Sequence, residues 1–134
     1  MREKILDTNK LISQWKRRRK RPLGDYETSD VEVWAAELIE LYETNCILTP
    51  VYLEFIGGVI DRREMELSRA FLGAFSILDE GDIRPEDWTK ACQLAERIPQ
   101  DTRPRGAIDC LIKAITIRLR CVLVTDDTGM PRHP

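Results

Sequence analysis

Four short apolar segments, set among longer stretches of helical periodicity, constrain the fold of this chain more than any other feature. Lys4 to Leu6, Cys46 to Leu48, Phe75 to Leu78 and Cys121 to Val124 are too short for helices, and the last is almost wholly apolar. Strands of that kind are covered on both faces. Their alternation with helices predicts an α/β fold: a three-layer α/β/α arrangement in which a short parallel sheet of about four strands is flanked by helices. The 134 residues suffice for one such domain, expected to span residues 1–134.

Apolar spacing outlines the helices. Val31, Trp34, Ala35, Leu38 and Leu41 recur at three and four residues, predicting a helix over 31–43 with Ser29 and Glu32 as a capping box. Thr49 and Pro50 open a second helix through Val51, Leu53, Phe55 and Ile56, weakened at Gly57-Gly58. A third covers Arg62 to Ala74. Pro85 opens a fourth, with Trp88, Ala91, Leu94, Ala95 and Ile98 on one face, and Pro99 closes it. A fifth runs from Gly106 to Leu119 with Ile108, Leu111, Ile112, Ile115 and Leu119 inward.

Net charge is only −2, which excludes a uniformly basic coat, but the charges are sorted. Lys16 to Arg21 is a run of six cations, whereas Asp25 to Glu43 holds seven acids and neither Lys nor Arg. Four cysteines without a C-x-x-C and one histidine, His133, make a zinc site a poor fit. Packed, reduced thiols (Cys46, Cys110 and Cys121 lie in apolar runs) point to the cytoplasm. Asp7 interrupts the first apolar segment, so no signal peptide is expected, and the apolar run Phe71 to Leu78 is too short for a membrane span.

The expected topology gathers acids. In right-handed β-α-β units every helix begins near the edge where the strands end, and sites form on that edge. Asp7 follows the first strand directly, and Asp127 follows the last by the step Thr125-Asp126. Glu54 lies in the second turn of the helix after the Cys46 strand, and Asp109 in the first turn of the helix before the Cys121 strand. Four carboxylates from distant parts of the chain thus reach one rim. Glu54 and Asp109 also stand among apolar neighbours, where an unpaired charge is costly, so a cation is a natural partner. Oxygen donors without a Cys or His cluster suit magnesium or manganese. Singly, each acid has a plainer reading: Glu54 or Asp109 facing solvent, Asp109 at a helix dipole, Asp7 in an Asx turn. Asp126 competes with Asp127 for the site-facing position.

These fragments resemble the PIN-domain ribonucleases, in particular the VapC-like toxins of VapBC toxin-antitoxin modules. Ile5-Leu6-Asp7-Thr8-Asn9 is similar to the family's opening strand and first acid, and Thr49-Pro50-Val51-Tyr52-Leu53-Glu54 to its second-acid helix. Asp109-Cys110-Leu111-Ile112 resembles the third-acid helix, and Val124-Thr125-Asp126-Asp127 the closing T-x-D element. The resemblance implies a Mg²⁺ or Mn²⁺ site at Asp7, Glu54, Asp109 and Asp127, serving both as metal ligands and as catalytic acids. It implies Asn9 and Thr125 as supports, endonucleolytic hydrolysis of RNA by metal-activated water, a homodimer and a VapB-like antitoxin. Gly129 stands where many members carry a further acid, leaving one or two metals open. With Pro134 as the last residue, the resemblance leads to the expectation that a final edge strand seen in many members is missing.

RNA also has to be held. Lys16, Arg17, Arg18 and Arg19 beside Trp15 offer phosphate contacts and one stacking ring, and Arg103 and Arg105 precede the Asp109 helix. The competing reading makes Trp15 a core residue and pairs the cations with the acidic stretch or an antitoxin. Haloacid-dehalogenase-like phosphatases and response-regulator receivers also use a strand-terminal aspartate, but Asn9 stands where the former place a second acid. The alternative function is a non-catalytic PIN-like module that binds protein or RNA.

Overall fold

Among residues 2–97 and 106–125, which the computed structural model describes, the chain forms six α-helices and four short strands. Expectations that fall on Ile98, Pro99, Arg103, Arg105, Asp126, Asp127 and Gly129 lie outside the described residues. In order the elements are β1 (Lys4–Leu6), α1 (Thr8–Arg18), α2 (Thr28–Tyr42), β2 (Cys46–Ile47), α3 (Thr49–Ile56), α4 (Arg62–Leu72), β3 (Ser76–Ile77), α5 (Pro85–Ala95), α6 (Ala107–Leu119) and β4 (Val122–Val124). A 3-10 turn, Leu23–Asp25, joins α1 to α2.

All strand pairing is parallel, as the βα alternation requires. It comes as two pairs, β1 with β4 and β2 with β3, rather than one continuous sheet. β1 and β2 still lie side by side. There the Thr44 hydroxyl donates to the Lys4 carbonyl at 2.7 Å, so a side chain takes an acceptor that a backbone ladder would have used. Only β1 and β2 are buried from both faces, with Ile5, Leu6, Ile47 and the following Leu48 fully enclosed; β3 and β4 are partly covered, Ser76 and Val122 being exposed.

Helix boundaries follow capping chemistry more than apolar spacing. α2 starts before the expected Ser29–Glu32 box, because Asp30 accepts the Glu27 N–H at 2.8 Å and forms the box with Glu27. Tyr26 explains the earlier start. Its ring meets Trp34 edge-on at 5.0 Å and its hydroxyl accepts the N–H groups of Lys20 and Arg21, so the chain is anchored just ahead of Glu27. The buried stripe of α2, Val31, Trp34, Ala35 and Leu38, continues to half-buried Tyr42, and Leu41 is left 60% exposed.

α5 shows a larger rotation. Asp87, Ala91 and Leu94 face inward, whereas the expected core residue Trp88 is 55% exposed and Ala95 is exposed. The cause is a buried ion pair. Asp87, 1% exposed, receives the Arg118 Nε at 2.8 and 3.0 Å, and Arg118 Nη2 reaches the Asp82 carbonyl at 2.7 Å. The first turn of α5 is thereby tied to the last turn of α6, which makes the two helices an antiparallel hairpin.

Burial alone would push the Asp87 carboxyl up. Arg118 and the Arg84 N–H more than offset this, holding it below the ordinary value, and Arg118 is raised in turn. A carboxyl that is more acidic when folded stabilises fully above its unfolded pKa, about 3.9, and the contribution is lost as pH falls through the lower folded value. Asp87→Ala strands a largely buried guanidinium and is expected to cost about 3 kcal/mol at neutral pH. Urea melts of wild type and variant should converge as pH drops below about 4.

The core is aromatic at its centre. Trp15 meets Trp34, Phe55 and Phe71 edge-on at 5.4, 5.5 and 5.2 Å, and Phe55 stacks on Phe71. Gln14, also buried, donates to the Trp34 carbonyl at 2.9 Å, joining α1 to α2 where no apolar contact would satisfy that group. Cys46, Cys110 and Cys121 are buried as expected, Cys92 is exposed, and all four are free thiols. No described helix is long and apolar enough to cross a membrane.

Candidate active site

Parallel pairing of β1 with β4 sets Leu6 opposite Val124, so the residues that follow both strands emerge together at one edge. The Asp7 N–H extends that ladder by donating to the Val124 carbonyl at 2.9 Å. Asp7 also caps α1. Its Oδ1 accepts the Thr8 N–H at 2.8 Å and its Oδ2 accepts the Thr125 hydroxyl at 2.7 Å. Asn9 Nδ2 then donates to Thr125 Oγ1 at 3.1 Å.

Asp7, Asn9 and Thr125 are therefore one connected network in which each side chain fixes the next. A carboxylate offers about four lone-pair sites, and these bonds use one on each oxygen, so Asp7 is held in a single orientation with acceptor capacity to spare. Next to it the Thr8 hydroxyl is buried and has no hydrogen-bond partner among the described residues. This is an oxygen-rich, preformed corner.

The other acids are placed differently. Glu54 sits on the exposed side of α3, and its neighbour Leu53 is also exposed, so the apolar sequence around Glu54 does not bury it. Asp109 is half-buried in the first turn of α6, its Oδ2 3.4 Å from where a Cβ on Gly106 would stand. That turns the carboxylate back over the helix N-terminus, where negative charge is favourable. Among the described residues no three His, Cys, Asp or Glu side chains are grouped closely enough to hold a metal ion. Asp127 lies outside them.

One acid on this edge was not anticipated. Asp79 follows β3 by one intervening residue, Leu78, and it is 5% exposed. Its Oδ1 accepts the Thr49 N–H at 2.8 Å, while Oδ2 is buried without a partner among the described residues. α3 needs this bond, because its N-cap residue Leu48 has no side-chain acceptor. Thr49 replies by accepting the Gly81 N–H at 3.1 Å, across a turn in which Gly81 takes φ +77°. The helix that carries Glu54 is thus seated by the end of β3. The rule that singled out Asp7, an acid directly after a short apolar segment, applies equally to Asp79, which follows the segment Phe75 to Leu78 in the sequence.

The basic run divides. Trp15 is 9% exposed and belongs to the core, so it is no stacking platform, whereas Lys16 to Arg21 are all exposed. Arg18 Nε lies 3.1 Å from Glu37, a pairing with the acidic stretch.

A family model described as "PIN domain" matches residues 4–134. The chain belongs to the PIN-domain family. Comparison with curated proteins and with solved structures gives no match. PIN domains are generally nucleases, often dependent on divalent metals, and share the α/β architecture of short parallel strands among helices seen here. In this PIN domain the network of Asp7, Asn9 and Thr125 joins the start of α1 to the residue that follows β4.

Proposed function

We propose that this PIN domain is a Mg²⁺- or Mn²⁺-dependent endoribonuclease with Asp7, Glu54, Asp109 and Asp127 as its acids. We further read it as the VapC-like toxin of a toxin-antitoxin module, a homodimer restrained by a small VapB-like antitoxin. The observation that supports the chemistry is the Asp7 carboxylate, oriented on both oxygens by Thr8 and Thr125 yet left with acceptor capacity among the described residues. The toxin role is supported by the resemblance of the four acid-bearing fragments.

The donor set fits a hard divalent cation, since every proposed ligand is a carboxylate. When bound, such an ion supplies Lewis acidity, lowering the pKa of water and neutralising charge on phosphoryl oxygens. The chain's own part is positioning. Thr8 N–H and the Thr125 hydroxyl hold Asp7 in one rotamer before substrate arrives, and Asn9 holds Thr125. Asp79 seats the first turn of α3, which sets where Glu54 projects. Exposed Glu54 is accessible to a substrate phosphate and to an ion from solvent.

Purified protein is expected to cut single-stranded RNA internally with Mg²⁺ or Mn²⁺, to stop in EDTA, and to recover when the ion is restored. Cleavage that continues in EDTA overturns the metal-dependent reading. The non-catalytic binding module has one observation in its favour, the lack of three grouped acids among the described residues. A folded protein that cuts nothing with any divalent ion selects it.

A further inference from the structure

We propose that the far end of α1 is a phosphate-binding surface for single-stranded RNA, separate from the acids and indifferent to base sequence. The choice of RNA rests on the ribonuclease reading above, but the surface is tested without cleavage.

α1 starts at Asp7, and its eleven residues carry the chain about 16 Å away. Lys16, Arg17 and Arg18 occupy its last turn, and Arg19, Lys20 and Arg21 continue beyond it. Three of these cations are held. Arg17 donates to Gln14, Arg18 pairs with Glu37, and the Arg21 guanidinium lies 4.9 Å over the Tyr26 ring. The side chains of Lys16, Arg19 and Lys20 have no partner among the described residues. The acidic stretch that follows in sequence therefore neutralises the run only in part.

The backbone of the run is anchored as well. The Tyr26 hydroxyl accepts the N–H of Lys20 at 2.8 Å and of Arg21 at 3.1 Å, so the free ammonium and guanidinium groups leave a fixed strand of chain. Neither ring beside the run is open for base stacking, because Trp15 is in the core and Tyr26 is buried beneath Arg21. Cations without stacking rings contact phosphates and carry no sequence information. A spacing of about 16 Å from Asp7 exceeds the reach of one nucleotide, so a continuous polyanion is the ligand that can occupy both ends of α1.

The test measures binding of labelled RNA of about a dozen nucleotides to the full chain in EDTA. The variants are Lys16→Ala/Arg19→Ala/Lys20→Ala and the charge-conserving Lys16→Arg/Arg19→Lys/Lys20→Arg. The alanine variant should bind about tenfold more weakly, and its log K against log salt slope should be shallower by about 2. The loss should be equal for uridine-only and mixed sequences, absent for a dinucleotide, and reversed in the charge-conserving variant. Unchanged affinity and slope would overturn the proposal. So would a loss confined to a polyglutamate peptide, which would make this a protein-docking surface. A chain that binds in this way yet cuts nothing keeps the surface and loses the ribonuclease.

Discussion

Asp7→Asn should abolish metal-dependent RNA cleavage while leaving the protein folded. The two halves of that result have separate causes. Asn caps a helix about as well as Asp, so the bond from the Thr8 N–H survives and stability should change by about 1 kcal/mol or less. What is lost is the negative charge on the residue whose two oxygens the fold has already oriented. Lewis-acid assistance contributes several kcal/mol to such reactions, and each 1.36 kcal/mol is tenfold, so the rate should fall by roughly a thousandfold. Rates of internal cleavage, with thermal melts of both proteins, check it. A variant that cuts at the wild-type rate would remove Asp7 from the mechanism.

Trp15→Ala should destabilise the domain by roughly 4 kcal/mol, whereas Lys16→Ala, one residue on, should change stability by no more than about 0.5 kcal/mol. Trp15 fills the space between α1, α2, α3 and α4, with edge-on contacts to Trp34, Phe55 and Phe71. Removing it leaves a cavity that three other rings cannot collapse into without leaving their own contacts. Against the 5–15 kcal/mol typical of domains, a drop of about 4 is a large share, and the melting temperature should fall on the order of 15 °C. Urea titrations of the two variants decide the point. Equal, small losses would mean that Trp15 is not the centre of the core.

The contrast between Trp15 and Lys16 shows what could be read from the sequence. An aromatic beside six cations is equally a stacking ring or the last core residue of an amphipathic helix. Helical spacing from Leu11 favours the second, and the contacts across four helices decide it. Strand positions were legible to within a residue or two, because apolar runs of that length have few alternatives in an α/β chain. Which face of α5 turned inward was not. Trp88 outranks Asp87 on hydrophobicity, but Asp87 is buried because a guanidinium from Arg118, 31 residues away, meets it there. Nothing local to either residue announces that pairing.

The candidate site divides in the same way. Asp7 and Thr125 could be brought together from topology, since both follow neighbouring parallel strands. The burial of Glu54 could not be judged from its neighbours, because apolar residues around a helical acid do not say which side of the helix meets the core. Asp79 was legible by the same rule as Asp7, yet its role depends on Leu48 being unable to cap α3.

By itself, then, the sequence determined the order and kind of every element but α1, which the apolar spacing did not outline, together with the parallel sense of the strands and the family to which the chain belongs. These follow from local periodicity and from residues adjacent in the chain. The tertiary structure alone decided that Asp7 is held by Thr125 and Asn9, that Trp15 is core, and that Asp87 with Arg118 sets the roll of α5. Each of these depends on two groups far apart in sequence becoming neighbours, where burial makes an unmet hydrogen bond or charge costly enough to select one arrangement.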